Sequence, residues 1–143
     1  MTKKENACMI NMKSTQIIDG ESNALELITE GKFKSDGDTY HIEYVDSEAT
    51  GFEGSVTTID VTGKNLATIN RSGNTNSNLV IELGKKHHCH YETPYGDMMV
   101  GIYTHKILNQ LNTDGGHLYL KYTIDINSSY VSDNEIDLNI EKI

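Results

Sequence analysis

Tryptophan is absent from this chain, proline occurs once, at Pro94, and cysteine twice, at Cys8 and Cys89. Two cysteines are too few for a disulfide framework, and neither belongs to a C-x-x-C pair. Both read as small buried hydrophobes of a reducing compartment. Long apolar runs are missing too: no segment approaches the length of a membrane span, and Met1-Thr2-Lys3-Lys4-Glu5-Asn6 leads into no apolar stretch of signal-peptide length. The expectation is a cytoplasmic protein with no membrane partner. Positive charge is scarce. Twelve Lys and Arg stand against twenty-one Asp and Glu, for a formal net charge of −9. Such a balance repels a phosphate backbone and argues against nucleic acid as a partner. The acidic residues are scattered rather than blocked, as on a solvated surface.

The 143 residues suit one domain, and a chain of this size buries roughly two-thirds of its unfolded surface. Residues 1–8 are expected as a flexible N-terminal segment and 9–143 as a single domain. Turn signals recur from end to end with no repeat and no low-complexity linker. Asp19-Gly20, Asp36-Gly37-Asp38, Thr62-Gly63-Lys64-Asn65, Gly73-Asn74, Gly84-Lys85 and Asp114-Gly115-Gly116 supply residues that tolerate the positive φ of hairpin loops. Pro94 would cost a ladder hydrogen bond inside a strand, so the chain turns there. Thr93 at position i, Pro94 at i+1 and Gly96 at i+3 fit a type I turn, flanked by Tyr91 and Tyr95.

Between the turns, apolar residues alternate with polar ones. Leu118, Leu120, Tyr122, Ile124 and Ile126 share one face, as do Ile136, Leu138 and Ile140. The same holds for Leu25, Leu27, Thr29, Gly31 and Phe33, for Tyr40, Ile42 and Tyr44, and, over a shorter run, for Leu79, Ile81 and Leu83. Strands wet on one face leave no room for helices covering a second sheet face. The predicted fold is therefore all-β: a single antiparallel, mostly up-and-down barrel of about eight to ten strands. Residues 104–112 are ambiguous, because Ile107, Leu108 and Leu111 have helical spacing; they are assigned to a long strand running on from Asp97.

Several landmarks occur in a fixed order: Thr29-Glu30-Gly31, Tyr40-His41-Ile42-Glu43-Tyr44, Glu48-Ala49-Thr50-Gly51-Phe52-Glu53-Gly54 and Thr57-Thr58. They are followed by Arg71-Ser72-Gly73, Tyr91-Glu92-Thr93-Pro94-Tyr95-Gly96, Ile102-Tyr103-Thr104 and Asn134-Glu135-Ile136. In this order, over roughly residues 9 to 141, the chain resembles the YwiB-like family of Firmicute proteins. The resemblance implies a calycin-like barrel of lipocalin shape and carries no assigned activity. The Gly-x-Trp of true lipocalins has no counterpart here, so lipocalin ligand chemistry is not carried over.

Carrying the alternation inward collects an unusual polar set. Arg71 shares a face with Ala67 and Ile69, Thr57 with Ile59 and Val61, and Tyr91 with Cys89; Thr104 follows Met98, Val100 and Ile102, and Tyr44 and Tyr122 also point in. With Tyr95 and Glu53 these residues form the candidate site for a small ligand. An anion would be gripped by Arg71 and oriented by tyrosine hydroxyls. The competing reading pairs Arg71 with Glu48 or Glu53 and makes it a structural lock. His87-His88-Cys89-His90 is the most metal-like stretch, yet in a strand each face receives only two of these ligands where structural zinc needs four. His41, His105 and His117 could complete a set only if the fold delivers them. Neither a metal nor any other cofactor is expected. No nucleophile elbow accompanies Ser72 or Cys89, and Gly51-x-x-Gly54 precedes no helix, so a binding module is favoured over an enzyme. Met99 and Tyr103 lie on the face opposite Met98, Val100 and Ile102. They mark a candidate homodimer or interaction surface over a packed barrel, the alternative to a ligand-binding interior.

Overall fold

The computed structural model describes residues 6–46, 53–74, 76–93 and 96–143, with Thr93 described by its backbone alone. Alternation and turn chemistry give ten strands. They are β1 (Ala7–Ile18), β2 (Glu21–Asp36), β3 (Thr39–Val45), β4 (Ser55–Thr62), β5 (Leu66–Gly73), β6 (Ser77–Glu82), β7 (Lys86–Thr93), β8 (Gly96–Asn112), β9 (Gly115–Ile126) and β10 (Ser129–Lys142). Among the described residues there is no helix. Each strand pairs antiparallel with its neighbour in sequence, and β1 pairs with β10 to close the barrel. Closure removes both exposed sheet edges. The first strand begins at Ala7, inside the segment expected to be flexible, and Cys8 is fully buried. Hydrogen bonds from Phe33 N–H to the Asn6 carbonyl and from Ile143 N–H to the Ala7 carbonyl tie this end down.

The helical spacing of Ile107, Leu108 and Leu111 has a local cause. A β-bulge at His105 shifts the register between Thr104 and Lys106. Before it the even positions Val100, Ile102 and Thr104 face inward; after it the odd positions Ile107, Asn109 and Leu111 take over, opposite Leu120, Leu118 and Gly116. One extra residue converts a period of two into an apparent three. A second irregularity, at Val131, lies just after the β9–β10 turn, where Asn127 and Ser128 both have positive φ (52° and 66°) as a type I′ hairpin requires.

The half of the barrel nearest both termini is a packed apolar core of Ile10, Phe33, Ile42, Val61, Ile81 and Leu118, each fully buried. Burial of each such side chain contributes about 1.5–3 kcal/mol. Gly31 is required by space rather than by backbone conformation. A Cβ there would lie 2.5 Å from both the Glu43 carbonyl oxygen and Ile10 Cδ1. Leu83 departs from the predicted inward set: it follows the end of β6, is 39% exposed, and bridges to Thr104 of β8. The cause is that β6 and β7 barely pair. Their ladder has one residue pair, Ser77 with Tyr91, and at the seam the Val80 N–H donates instead to Cys89 Sγ at 3.3 Å.

Candidate functional site

The register places polar side chains around one end of the barrel interior. Across successive strands, Tyr44 of β3 stands opposite Thr57 of β4, Thr57 opposite Arg71 of β5, Arg71 opposite Ser77 of β6, and Ser77 opposite Tyr91 of β7. A second rung continues on the far wall: Tyr122 of β9, Asn134 of β10, Gln16 of β1 and Asn23 of β2 face one another in turn. Both rungs lie toward the end that carries the β1–β2 and β9–β10 turns. Below them the aliphatic layer of Ile59, Ile69 and Leu79 forms the floor of a cavity of about 360 Å³.

Arg71, Tyr44, Tyr91 and Tyr122 line this cavity together, so four of the eight predicted site residues converge. Of the other four, three do not, and Tyr95 lies outside the described residues. Thr57 is fully buried behind the wall and donates to Asp46 Oδ2 at 2.5 Å. Thr104 is buried in the barrel without lining the cavity, and its Oγ1 has no hydrogen-bond partner among the described residues. Glu53 is solvent-exposed, and its backbone carbonyl accepts from Asn74 Nδ2 at 3.2 Å. Glu48 and the turn centred on Pro94 also lie outside the described residues.

The residue that sequence reasoning missed is Asp46. Its carboxylate is fully buried and accepts from both Thr57 and Arg71 Nε, the latter at 3.4 Å, while Arg71 Nε also reaches Thr57 Oγ1 at 3.2 Å. The carboxylate partner anticipated for Arg71 is therefore Asp46 and not Glu53, because the inward parity of Tyr40, Ile42 and Tyr44 runs one step further past the end of β3. Burial raises the Tyr44 phenol above its ordinary range, and the nearby Asp46 charge adds to the effect. Tyr122 is pushed up strongly, first by burial and then by its proximity to Tyr91. These phenols are neutral donors at physiological pH.

Neither cysteine is an activated nucleophile. Burial raises both thiols, Cys8 and Cys89, which keeps them protonated and unreactive. The histidines are spread over several strands. His41 meets Asp60 at 2.6 Å, His87 meets Glu82 and His117 meets Asp137, each at 2.8 Å. His88 and His90 are exposed on either side of buried Cys89. Among the described residues, no group of three or more His, Cys, Asp or Glu is placed to hold a metal ion.

Comparison with known proteins adds a fold relative and a family. The crystal structure of the ywiB protein from Bacillus subtilis superposes with a TM-score of 0.84 over 99% of this chain and 94% of that one, at 18% sequence identity. At that identity the likeness establishes the fold, a closed antiparallel β-barrel. No curated protein matches the chain. Residues 10–138 match the family described as "Domain of unknown function (DUF1934)", nearly the whole barrel, and the chain belongs to that family.

Proposed function

We propose that the protein is a cytoplasmic binding module that holds a small molecule inside its barrel. The observation that carries this reading is the cavity itself. About 360 Å³ falls within the usual range of roughly 300–1,000 Å³ for ligand pockets and equals the liquid volume of about a dozen waters. Polar groups from two facing rungs and aliphatic side chains share its lining, a mix of orienting and burying surfaces usual for ligand pockets. A barrel evolved only as a packed interaction module would gain by filling this space. The cytoplasmic part is supported by two buried free cysteines and by an apolar interior with a charged exterior, the inverse of a membrane barrel. No helix among the described residues is long and apolar enough to cross a membrane.

Native mass spectrometry of the protein purified from its own host tests the reading. The expected result is a stoichiometric mass increment that disappears on denaturation and is absent from Ile124→Trp, which fills the cavity. Met99 and Tyr103, 56% and 40% exposed on the outer face of β8, support a second reading as a homodimer or interaction surface. An increment-free dimer in the same spectra would replace the first reading with this one.

A further inference from the structure

We infer that the ligand is an uncharged molecule whose carbonyl-type oxygen atoms accept hydrogen bonds from Tyr91 and Tyr122 and whose apolar body lies along the aliphatic wall. This rests on the small-molecule reading and narrows its chemistry.

The first argument is charge. Arg71 is the one charged side chain among the described residues lining the cavity, and its counter-charge is already present in the buried Asp46 carboxylate. An anion was expected because a cation in an apolar interior must be balanced; Asp46 supplies that balance from the protein. A carboxylate or phosphate ligand would add an unmatched negative charge beside Asp46, inside a protein of net charge −9, and desolvation would penalise it. A protonated amine fares no better: its charge would sit against the Arg71 guanidinium that lines the same cavity.

The second argument is hydrogen-bond supply. Among the described residues, neither the Tyr91 nor the Tyr122 hydroxyl has a hydrogen-bond partner, although both rings line the cavity. The Tyr44 hydroxyl donates to Met12 Sδ, at 3.6 Å, a poor thioether acceptor, and also interacts with Thr57 and Arg71. The raised Tyr44 and Tyr122 phenols stay protonated, so the tyrosines offer donors, while Gln16, Asn23 and Asn134 line the cavity with amides that both donate and accept. A carbonyl oxygen has two lone pairs and no proton, which matches two converging phenols. Leu25, Ile69, Leu79, Ile124 and Ile136 take up the remainder of the ligand. An acceptor-free hydrocarbon would leave the phenols unsatisfied once water is displaced.

Three probes of one shape separate the possibilities: 3-phenylpropanamide, 3-phenylpropanoate and 3-phenylpropylamine, titrated calorimetrically into the wild type at neutral pH. The amide should bind in the millimolar range or tighter and at least about tenfold more tightly than either ion. Tyr91→Phe and Tyr122→Phe, which keep the rings, should each weaken amide binding by about two- to tenfold, as the loss of one net hydrogen bond predicts. Asp46→Asn should reverse the preference toward the carboxylate by leaving the Arg71 charge unmatched. Should that variant fail to fold, the two tyrosine variants decide. Preference of the wild type for either ion, or amide affinity unchanged in both tyrosine variants, overturns the inference. An ion that binds the wild type but not Ile124→Trp would refute the neutral class while leaving the binding barrel standing. Silence of all three probes overturns the inference, and the host-purified mass increment then reports separately on whether the barrel binds anything.

Discussion

Arg71→Met should be among the most damaging single changes at the rim of the cavity. It removes one partner of a pair whose other member, Asp46, has no exposed side-chain surface. Breaking a buried ion pair from one side costs about 3–5 kcal/mol because the remaining charge is stranded. Two features lower that figure here. The Nε to Oδ2 separation of 3.4 Å is long, and Asp46 keeps its 2.5 Å bond from Thr57. A loss of about 2–3 kcal/mol follows. Asp46→Asn should cost less, about 1–2 kcal/mol, because Arg71 borders a cavity that water can enter. In the double variant the asparagine can still accept from Thr57 and no charge is stranded, so the loss should fall short of the sum by about 1–2 kcal/mol. Urea unfolding followed by far-UV circular dichroism at neutral pH measures all three, provided the m-value is unchanged. Glu53→Gln serves as the contrast: an exposed carboxylate should neither rescue Arg71→Met nor destabilise alone. Strict additivity of the Arg71 and Asp46 changes, or an Arg71→Met loss under about 0.5 kcal/mol, would refute the pairing.

Other consequences follow from the same geometry. Tyr44 and Tyr122 are held protonated above the ordinary phenol range, chiefly by burial. Their contribution is fully present below the unfolded value of about 10 and is lost as pH rises from there through the raised folded values, because the unfolded chain then binds fewer protons. Tyr122→Phe should flatten this alkaline limb in urea titrations from neutral to strongly basic pH; identical limbs would deny the buried phenol its role. Gly31→Ala forces a Cβ to 2.5 Å from a backbone carbonyl and should cost about 1–3 kcal/mol by urea unfolding, with an unchanged midpoint counting against the close approach of β2 and β3. Cys89→Ala removes the acceptor of the Val80 N–H, and should both lower stability by about 1–2 kcal/mol and speed amide exchange at Val80. Cys89→Ser should leave that exchange slow.

Much of the barrel was legible because strand alternation is a local property. Leu118, Leu120, Tyr122 and the Ile136 to Ile140 run face inward as their period of two dictates. Turn chemistry marked the β1–β2 hairpin, where Asp19 and Gly20 both have positive φ. Asn127-Ser128 was less legible, since serine seldom occupies such a position and does so here between two strongly paired strands. The bulge at His105 had a visible trace, the broken period at Ile107, which read as a hint of helix. Leu83 misled because its parity matched Leu79 and Ile81 while the strand had already ended.

Asp46 was hidden for a different reason. Its inward parity could be read from Tyr40, Ile42 and Tyr44, but a carboxylate beside a loop is usually solvated, and its tie to Arg71 depends on the registers of two successive ladders, β3–β4 and β4–β5. Alternation tells which side of a sheet a residue faces; it does not tell how far along the barrel axis it sits. Axial position comes from register, fixed by turns and bulges far apart in the chain. Even register does not settle everything: Thr104 and Tyr122 looked equivalent as inward polar residues, and are direct ladder partners, yet only Tyr122 lines the cavity. The phenol extends past the ladder, and its proximity to Tyr91, Tyr44 and Arg71 puts it among the groups on the opposite wall. The short hydroxyl of Thr104 stays in the packed interior. A site of this kind is written in side-chain reach as much as in strand parity, and the residues able to meet across a barrel are the long ones: arginine, tyrosine and methionine.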